Sequence, residues 1–239
     1  MRIATWNLNR CRAAGSDRAK RLLGQIETVE ADVWVLTETY QDFTPGTEYE
    51  LIAHSTEAPD RNAKRGECWV AVWSRRPLSA QKVKLTKDLE RVAAARVGKT
   101  TIVGTVLPWL SDSRDPKLRG KAAFLARLDD QAADWKRLRN EPGAMCVAGD
   151  FNQDLLLSGH YYGSDEGRTK LRATLCNTHL KCLTAGNDDP LKGTQGHASI
   201  DHICIGDLRA VNSSHRLPAS GPLKGFTDHF GIWVDVETI

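Results

Sequence analysis

The sequence predicts an α/β fold in which strand, helix and strand occur twice, once at the start of the chain and once past its middle. Three observations carry this. Residues 1–39 hold an alternating strand, an amphipathic helix and a near-continuous apolar strand. Residues 100–148 repeat that order. Shorter apolar runs bounded by turn residues lie between and after them, as antiparallel neighbours would.

RIATWNLN at the start alternates, with Ile3, Thr5 and Asn7 on one face and Ala4, Trp6 and Leu8 on the other. In GSDRAKRLLGQIETVE, Ala19, Leu22, Leu23, Ile26 and Val29 fall at helical spacing, and Ser16 is placed to cap the helix. ADVWVLTET then reads as a strand covered on both faces. GECWVAVWS and RVAAARV read as strands, and Gly98-Lys99 turns the second into TTIVGTVL. A long helix from about Arg119 to Arg139 carries Phe124, Leu125, Leu128, Ala132, Trp135 and Leu138 on one stripe. Glu141-Pro142-Gly143 ends it, and AMCVAG follows as a buried strand. RTKLRATLCN is a shorter helix, and the two closing strands begin at the Asp-His pairs of SIDHICI and FTDHFGIW.

With 239 residues and 41% hydrophobic content the chain can bury a full core. No Pro/Ser-rich linker divides it, so residues 1–239 are read as one domain. A net charge of +3 is only mildly basic, so contact with a polyanion must come from local clusters. No stretch approaches the ~18 apolar residues of a membrane span. Residues 1–9 read as a strand rather than a signal peptide. The six cysteines show no C-x-x-C pair, and three of them, Cys68, Cys146 and Cys204, lie in apolar strands. A reducing, cytoplasmic setting is expected. LCNTHLKC spaces Cys176, His179 and Cys182 by threes, but no second ligand pair follows, so a helix end running into a strand is preferred to zinc.

Polar residues collect where the apolar runs stop. The first strand ends at Asn7, the second at Glu38, and MCVAG at Asp150, with Asn152 two residues on. The closing strands open at Asp201 and at Asp228-His229. Parallel strands ending together beside antiparallel strands that begin there would gather these groups at one rim. Carboxylates crowded there repel one another, and a divalent cation relieves the repulsion. Oxygen donors without sulfur select magnesium, manganese or calcium. The chemistry this suggests is metal-assisted attack of water on a phosphate ester, with a carboxylate-paired histidine to steady the phosphate or move a proton. Any one of these residues read alone is an ordinary turn or cap.

The stretches TWNLN, LTET, VWSRRPL, AGDFNQD, SIDHI and TDHFGI, in that order along nearly the whole chain, resemble the endonuclease/exonuclease/phosphatase superfamily. That resemblance implies a four-layer sandwich, two mixed β-sheets packed face to face with helices on the outer faces. It implies a magnesium-dependent hydrolase, with manganese able to substitute. Carried over, Asn7, Glu38 and Asp228 would serve the metal. Asp150 would position or deprotonate the attacking water, and Asn152 would orient the phosphate or that water. Asp201 would pair with His229, and His202 would be structural.

Two departures stand out. Val106 occupies the position before the long helix where many members carry His or Tyr, leaving Trp109, Asp112 or Arg114 as substitutes. Asn9 replaces the Asp usual in apurinic endonucleases, which points to another branch. Gly98-Lys99-Thr100 looks like the end of a phosphate-binding loop, but Ala93 stands where that motif needs glycine. For substrate contacts the sequence offers Arg114, Lys117, Arg119 and Lys121 before and within the long helix, and Tyr161 and Tyr162 as stacking platforms. A solvated helix face and loop aromatics packed on the core are the plainer readings of both groups. The expected substrate is nucleic acid. A small phosphorylated molecule or lipid headgroup is the alternative, and a binding protein that has lost its rate is a third.

Overall fold

The alternation of the first eight residues becomes strand β1 (Arg2–Asn7) in the computed structural model, which describes residues 1–12, 15–56, 64–113, 117–194, 197–218 and 225–239. Helix α1 (Asp17–Glu27) starts where the Ser16 hydroxyl accepts the Ala19 N–H at 3.1 Å, the cap read from the sequence. It returns the chain to β2 (Val33–Tyr40), parallel to β1 with Asn7 opposite Thr37. On the far side of β2 lie β4 (Glu67–Arg75) and then β3 (Tyr49–His54), both antiparallel to their neighbours. β13 (Gly231–Thr238) pairs antiparallel with the other edge of β1 and carries β11 (Leu208–Ala210) and β12 (His215–Leu217).

The second sheet has six strands. In order across it they are β5 (Ala80–Lys82), β6 (Val92–Val97), β7 (Thr100–Val106), β8 (Ala144–Asp150), β10 (Asp201–Gly206) and β9 (Lys181–Cys182). β7 and β8 are parallel and joined through α2 (Gly120–Arg139), so the second half repeats the plan of the first. α3 (Asp165–Asn177) follows, capped by Ser164.

Three apolar clusters define four layers. Ile3, Val35, Val70 and Val72 of the first sheet meet Ala95, Ile102, Cys146 and Ile203 of the second. Trp6, Trp34 and Leu36 pack under Leu22 and Ile26 of α1. Val103 and Val147 pack under Phe124, Leu128 and Trp135 of α2 and Leu171 of α3. This is the sandwich of two mixed sheets with outer helices. The sequence reading did not foresee β3 or the short edge strands, and β4 and β6 turn out to lie in different sheets. β3 shows only a broken burial pattern because it is an edge strand.

Polar side chains also fix the layers. Gln131, buried on the apolar stripe of α2, accepts from Thr105 of β7 and donates to Asp88 at 2.8 Å. Asp154, just past β8, is fully buried and accepts from the N–H groups of Leu156, Tyr161 and Tyr162 and from Arg168 at 2.9–3.2 Å. Burial pushes its acidity down, but those donors outweigh burial and hold its pKa below the usual carboxylate range. It is the organiser of the 155–163 loop.

Gly104 of β7 faces Val35 and Val70 of the other sheet at close range. A Cβ there would lie 2.4 Å from Val70 Cγ1 and 2.9 Å from Val35 Cγ1. Gly104→Ala is therefore expected to destabilise the protein by about 1–3 kcal/mol in chemical denaturation. Asp154→Asn, which sets an amide donor among donors, should cost about 2–3 kcal/mol at neutral pH. Because the folded-state pKa of Asp154 is depressed, its contribution is full above the unfolded value near ~3.9. The gap between wild type and variant should close as pH falls through the lowered folded-state value.

Candidate active site

The strand ends converge as the sequence pattern requires. β1 and β2 run parallel and bring Asn7 beside Glu38, while antiparallel pairing sets Asp201, the first residue of β10, opposite Asp150, the last of β8. Asn7 Nδ2 bridges the two sheets, donating to Glu38 Oε1 at 3.1 Å and to Asp150 Oδ2 at 3.0 Å. Its Oδ1 accepts the Asn9 N–H at 2.8 Å, which fixes the amide with nitrogen toward the carboxylates. Asn9 Nδ2 in turn donates to Asp228 Oδ1 at 3.0 Å.

Asn152 reaches Asp150 by a turn, not by the extended spacing inferred from the sequence. Its φ is +47°, and its backbone N–H and Nδ2 donate to the two Asp150 oxygens at 2.9 and 3.0 Å. The same Nδ2 donates to Leu107 O at 2.9 Å.

The first Asp-His pair divides as the family resemblance implies, Asp201 joining His229 of the second pair while His202 does not. Asp201 Oδ2 accepts from His229 Nδ1 at 2.6 Å, and His229 Nε2 lies 3.9 Å from Asp150 Oδ2, too far for a hydrogen bond. His202 points away, its ring held in the core between Thr184 Oγ1 (3.0 Å) and Gln153 O (2.9 Å).

Burial pushes the Asp150 pKa up most. Asp201 and Glu38 raise it further, His229 and the Asn152 N–H pull it back, and it stands at about 7. Burial alone would lower His229, but Asp201, Asp150 and Asp228 outweigh it and raise the imidazole to about 10. Ligand atoms of Asp150, Asp201 and His229 lie within 4.8 Å of one another. A protonated His229 has no lone pair for a metal, and within this trio its Nδ1 donates to Asp201 Oδ2. Glu38 and Asp228 add two carboxylates to the same cavity, oxygen donors of the kind a hard cation accepts.

A cavity of about 520 Å³ is lined among others by Asn9, Arg10, Glu38, Asp150, Asp228 and His229. Four of its lining residues, Asn9 (φ +44°), Arg10 (+55°), Glu38 (+43°) and Asn152 (+47°), have left-handed backbones without being glycine. Such strain is retained where the surroundings over-determine it. Here the Leu8 and Arg10 N–H groups clip onto Thr37 O and Glu38 O at 2.9 and 2.7 Å.

Tyr161 and Tyr162 both line the cavity. Arg119 is exposed at the N-cap of α2 and is not among the lining residues, and Arg114 lies outside the described residues. Lys121 pairs with Glu166 at 2.7 Å, as a solvated helix face would. Of the substitutes considered for Val106, Trp109 lines the cavity, whereas Asp112 is buried against Arg91. Val106 itself packs in the core between the sheets. Cys176, His179 and Cys182 form no metal-like cluster among the described residues, and Gly98-Lys99 is a hairpin turn.

Two further positioning residues carry no motif signal. Arg18 of α1 donates to Phe226 O at 2.5 Å and to Leu8 O at 2.7 Å, tying the loop that carries Asp228 to the end of β1. Trp6 Nε1 donates to His229 O at 2.9 Å. Only long-range contacts reveal either role.

The family model described as Endonuclease/Exonuclease/phosphatase family matches residues 4–229. Among solved structures, a 3'-5' exonuclease (NExo) from Neisseria meningitidis superposes with a TM-score of 0.70 at 16% identity, covering 98% of this chain and 99% of that one. An AP endonuclease from Archaeoglobus fulgidus gives 0.70 at 14% identity over 100% of both chains. The endonuclease domain of TRAS1, a telomere-specific non-LTR retrotransposon, gives 0.67 at 16% identity over 99% and 98%. Among curated proteins nothing matches. Identities this low speak to the fold, and the family follows from the motif-bearing match along nearly the whole sequence: the chain belongs to the endonuclease/exonuclease/phosphatase family.

Proposed function

We propose that the chain is a divalent-metal-dependent phosphodiester hydrolase acting on nucleic acid, with magnesium as its ion and manganese able to replace it. One observation carries this reading: a buried carboxylate with a pKa of about 7, Asp150, faces the same cavity as Glu38, Asp228 and His229, whose ring is held from behind by Asp201. The donor set suits a hard cation. Glu38 and Asp228 supply carboxylate oxygens at the cavity wall, and no thiol is among the lining residues. When bound there, the ion would offset carboxylate repulsion and polarise a phosphoryl oxygen.

The protein's own groups then have distinct tasks. Asp150 accepts a proton from the attacking water, a role suited to a base with a pKa near the working pH. Asn152 and Asn7, both donating to Asp150, aim its oxygens. His229 donates from Nε2 to a phosphate oxygen, while Asp201 holds Nδ1 and keeps the ring charged. Asn7 donates to Glu38 and Asp150, and its Oδ1, which accepts one bond from Asn9, keeps a second lone pair for the ion. The cavity tyrosines suit stacking on bases. The structural relatives, an exonuclease, an AP endonuclease and a retrotransposon endonuclease, support nucleic acid as substrate. Free cysteines suit a reducing, cytoplasmic setting.

A small phosphorylated substrate is the second reading. It is favoured by the modest charge and by ion pairs that occupy basic residues of α2, such as Arg127–Asp130 and Arg137–Glu141.

Single- and double-stranded DNA and RNA, incubated with magnesium and then with EDTA, test the first reading. EDTA-sensitive cleavage is expected for at least one of them. Glu38→Gln and Asp150→Asn should each lower kcat by about two to four orders of magnitude. Asp129→Asn, at an exposed residue of α2, should leave it unchanged. Phosphate release confined to nucleotides, inositol phosphates or lipid headgroups would favour the second reading.

A further inference from the structure

Arg10 stands in the cavity wall in a conformation that ordinary side chains avoid. Its φ of +55° would suit glycine, yet an arginine is held there. Its Nε lies 3.2 Å from Glu67 Oε1 and 3.7 Å from Glu38 Oε2. The first is within reach of a hydrogen bond and the second is not, so Glu67 orients the guanidinium. Glu67 is itself fixed. It is 4% exposed, and its Oε2 accepts from Tyr40 Oη at 3.3 Å and from the Lys64 N–H at 3.2 Å.

The guanidinium also lies over Trp69, 5.4 Å from the ring centroid, and Trp69 is braced by Trp109 at 5.9 Å and Arg91 at 5.0 Å. Held in this way, the Arg10 side chain remains 32% exposed and forms part of the cavity wall. The wall otherwise carries Glu38, Asp150 and Asp228, which repel an anion. Among the described lining residues the cationic side chains are Arg10 and His229. A solvated surface ion pair has no use for a buried carboxylate that aims the guanidinium, whereas a preorganised phosphate contact gains from one.

We propose that Arg10 binds a non-bridging phosphate oxygen of the substrate and that Glu67 is its positioning residue. This rests on the phosphoesterase reading of the same cavity and adds a substrate contact outside the residues that the family resemblance supplies. Guanidinium geometry matters here, because an ammonium is a point charge that cannot lie flat on Trp69 while meeting two oxygens.

Two measurements test it. The first is binding of a fluorescent short oligothymidylate in EDTA as a function of salt. Arg10→Gly and the double variant Arg10→Gly/Glu67→Gln should bind more weakly. The slope of log affinity against log salt should become shallower by about 0.7, one phosphate contact on a single strand. The double variant leaves no buried carboxylate without its cation, and glycine suits the φ, so it should melt as cooperatively as wild type. The second is hydrolysis of bis(p-nitrophenyl) phosphate with magnesium. Arg10→Gly should lose about tenfold or more in kcat/KM, Arg10→Lys should recover only part, and added guanidinium ion should restore Arg10→Gly but not Asp150→Asn. Glu67→Gln should raise KM more than it lowers kcat.

If Asp150→Asn abolishes hydrolysis while Arg10→Gly keeps wild-type kcat/KM and salt slope, the inference falls and the phosphoesterase reading stands. If wild type neither binds the oligonucleotide nor hydrolyses the diester, both fall together.

Discussion

A carboxylate buried at the end of a central strand, among other carboxylates, is the constraint around which this molecule is arranged. Asp150 ends β8 with almost no exposure, and Asp201 and Glu38 both oppose its ionisation. The fold offsets this cost with three hydrogen bonds from Asn152 and Asn7 and with the charge of His229 nearby. Asn152 compensates locally, but Asn7 and His229 arrive on other elements, so the sandwich must be assembled before the site is complete. Asn7 is the seam. Its amide reaches Glu38 within its own sheet and Asp150 in the other, which is possible only because the sheets pack as closely as Gly104 permits.

Around that seam long-range hydrogen bonds hold the loops. Arg18 ties the end of β1 to the loop bearing Asp228 and His229, Trp6 holds the His229 carbonyl, and Asp154 gathers the loop that presents Tyr161 and Tyr162. The left-handed backbones of Asn9, Arg10, Glu38 and Asn152 line the same cavity. Strain concentrated there, with buried polar anchors behind it, is what a preorganised site requires.

Much of this was legible in the sequence because periodicity and strand ends carry it. The helix capped by Ser16, the two strand–helix–strand units and the polar residues at Asn7, Glu38, Asp150, Asp201 and Asp228 could be read from local pattern. The division of the two Asp-His pairs followed from family resemblance, since both pairs look alike in isolation. β3 escaped notice because an edge strand is only half covered, and the sheet partners of β4 and β6 escaped because pairing is set by packing rather than by local pattern. Arg10, Arg18, Glu67 and Asp154 were invisible as site-builders. Each acts across a separation of more than ten residues or through a backbone turn, and a charged residue in a polar stretch reads as a solvated one. Asn152 was placed correctly for the wrong geometric reason, a turn standing in for an extended chain.

The central claim is that Glu38 and Asp228, brought together only by folding, hold a hard cation beside Asp150 and His229. Manganese binding to the metal-free protein, followed by loss of the electron paramagnetic resonance signal of the free ion, tests this without any assumption about substrate. The account predicts saturable uptake by the wild type that Glu38→Gln and Asp228→Asn each weaken severely while both variants melt cooperatively. Uptake by those folded variants equal to wild type would contradict it.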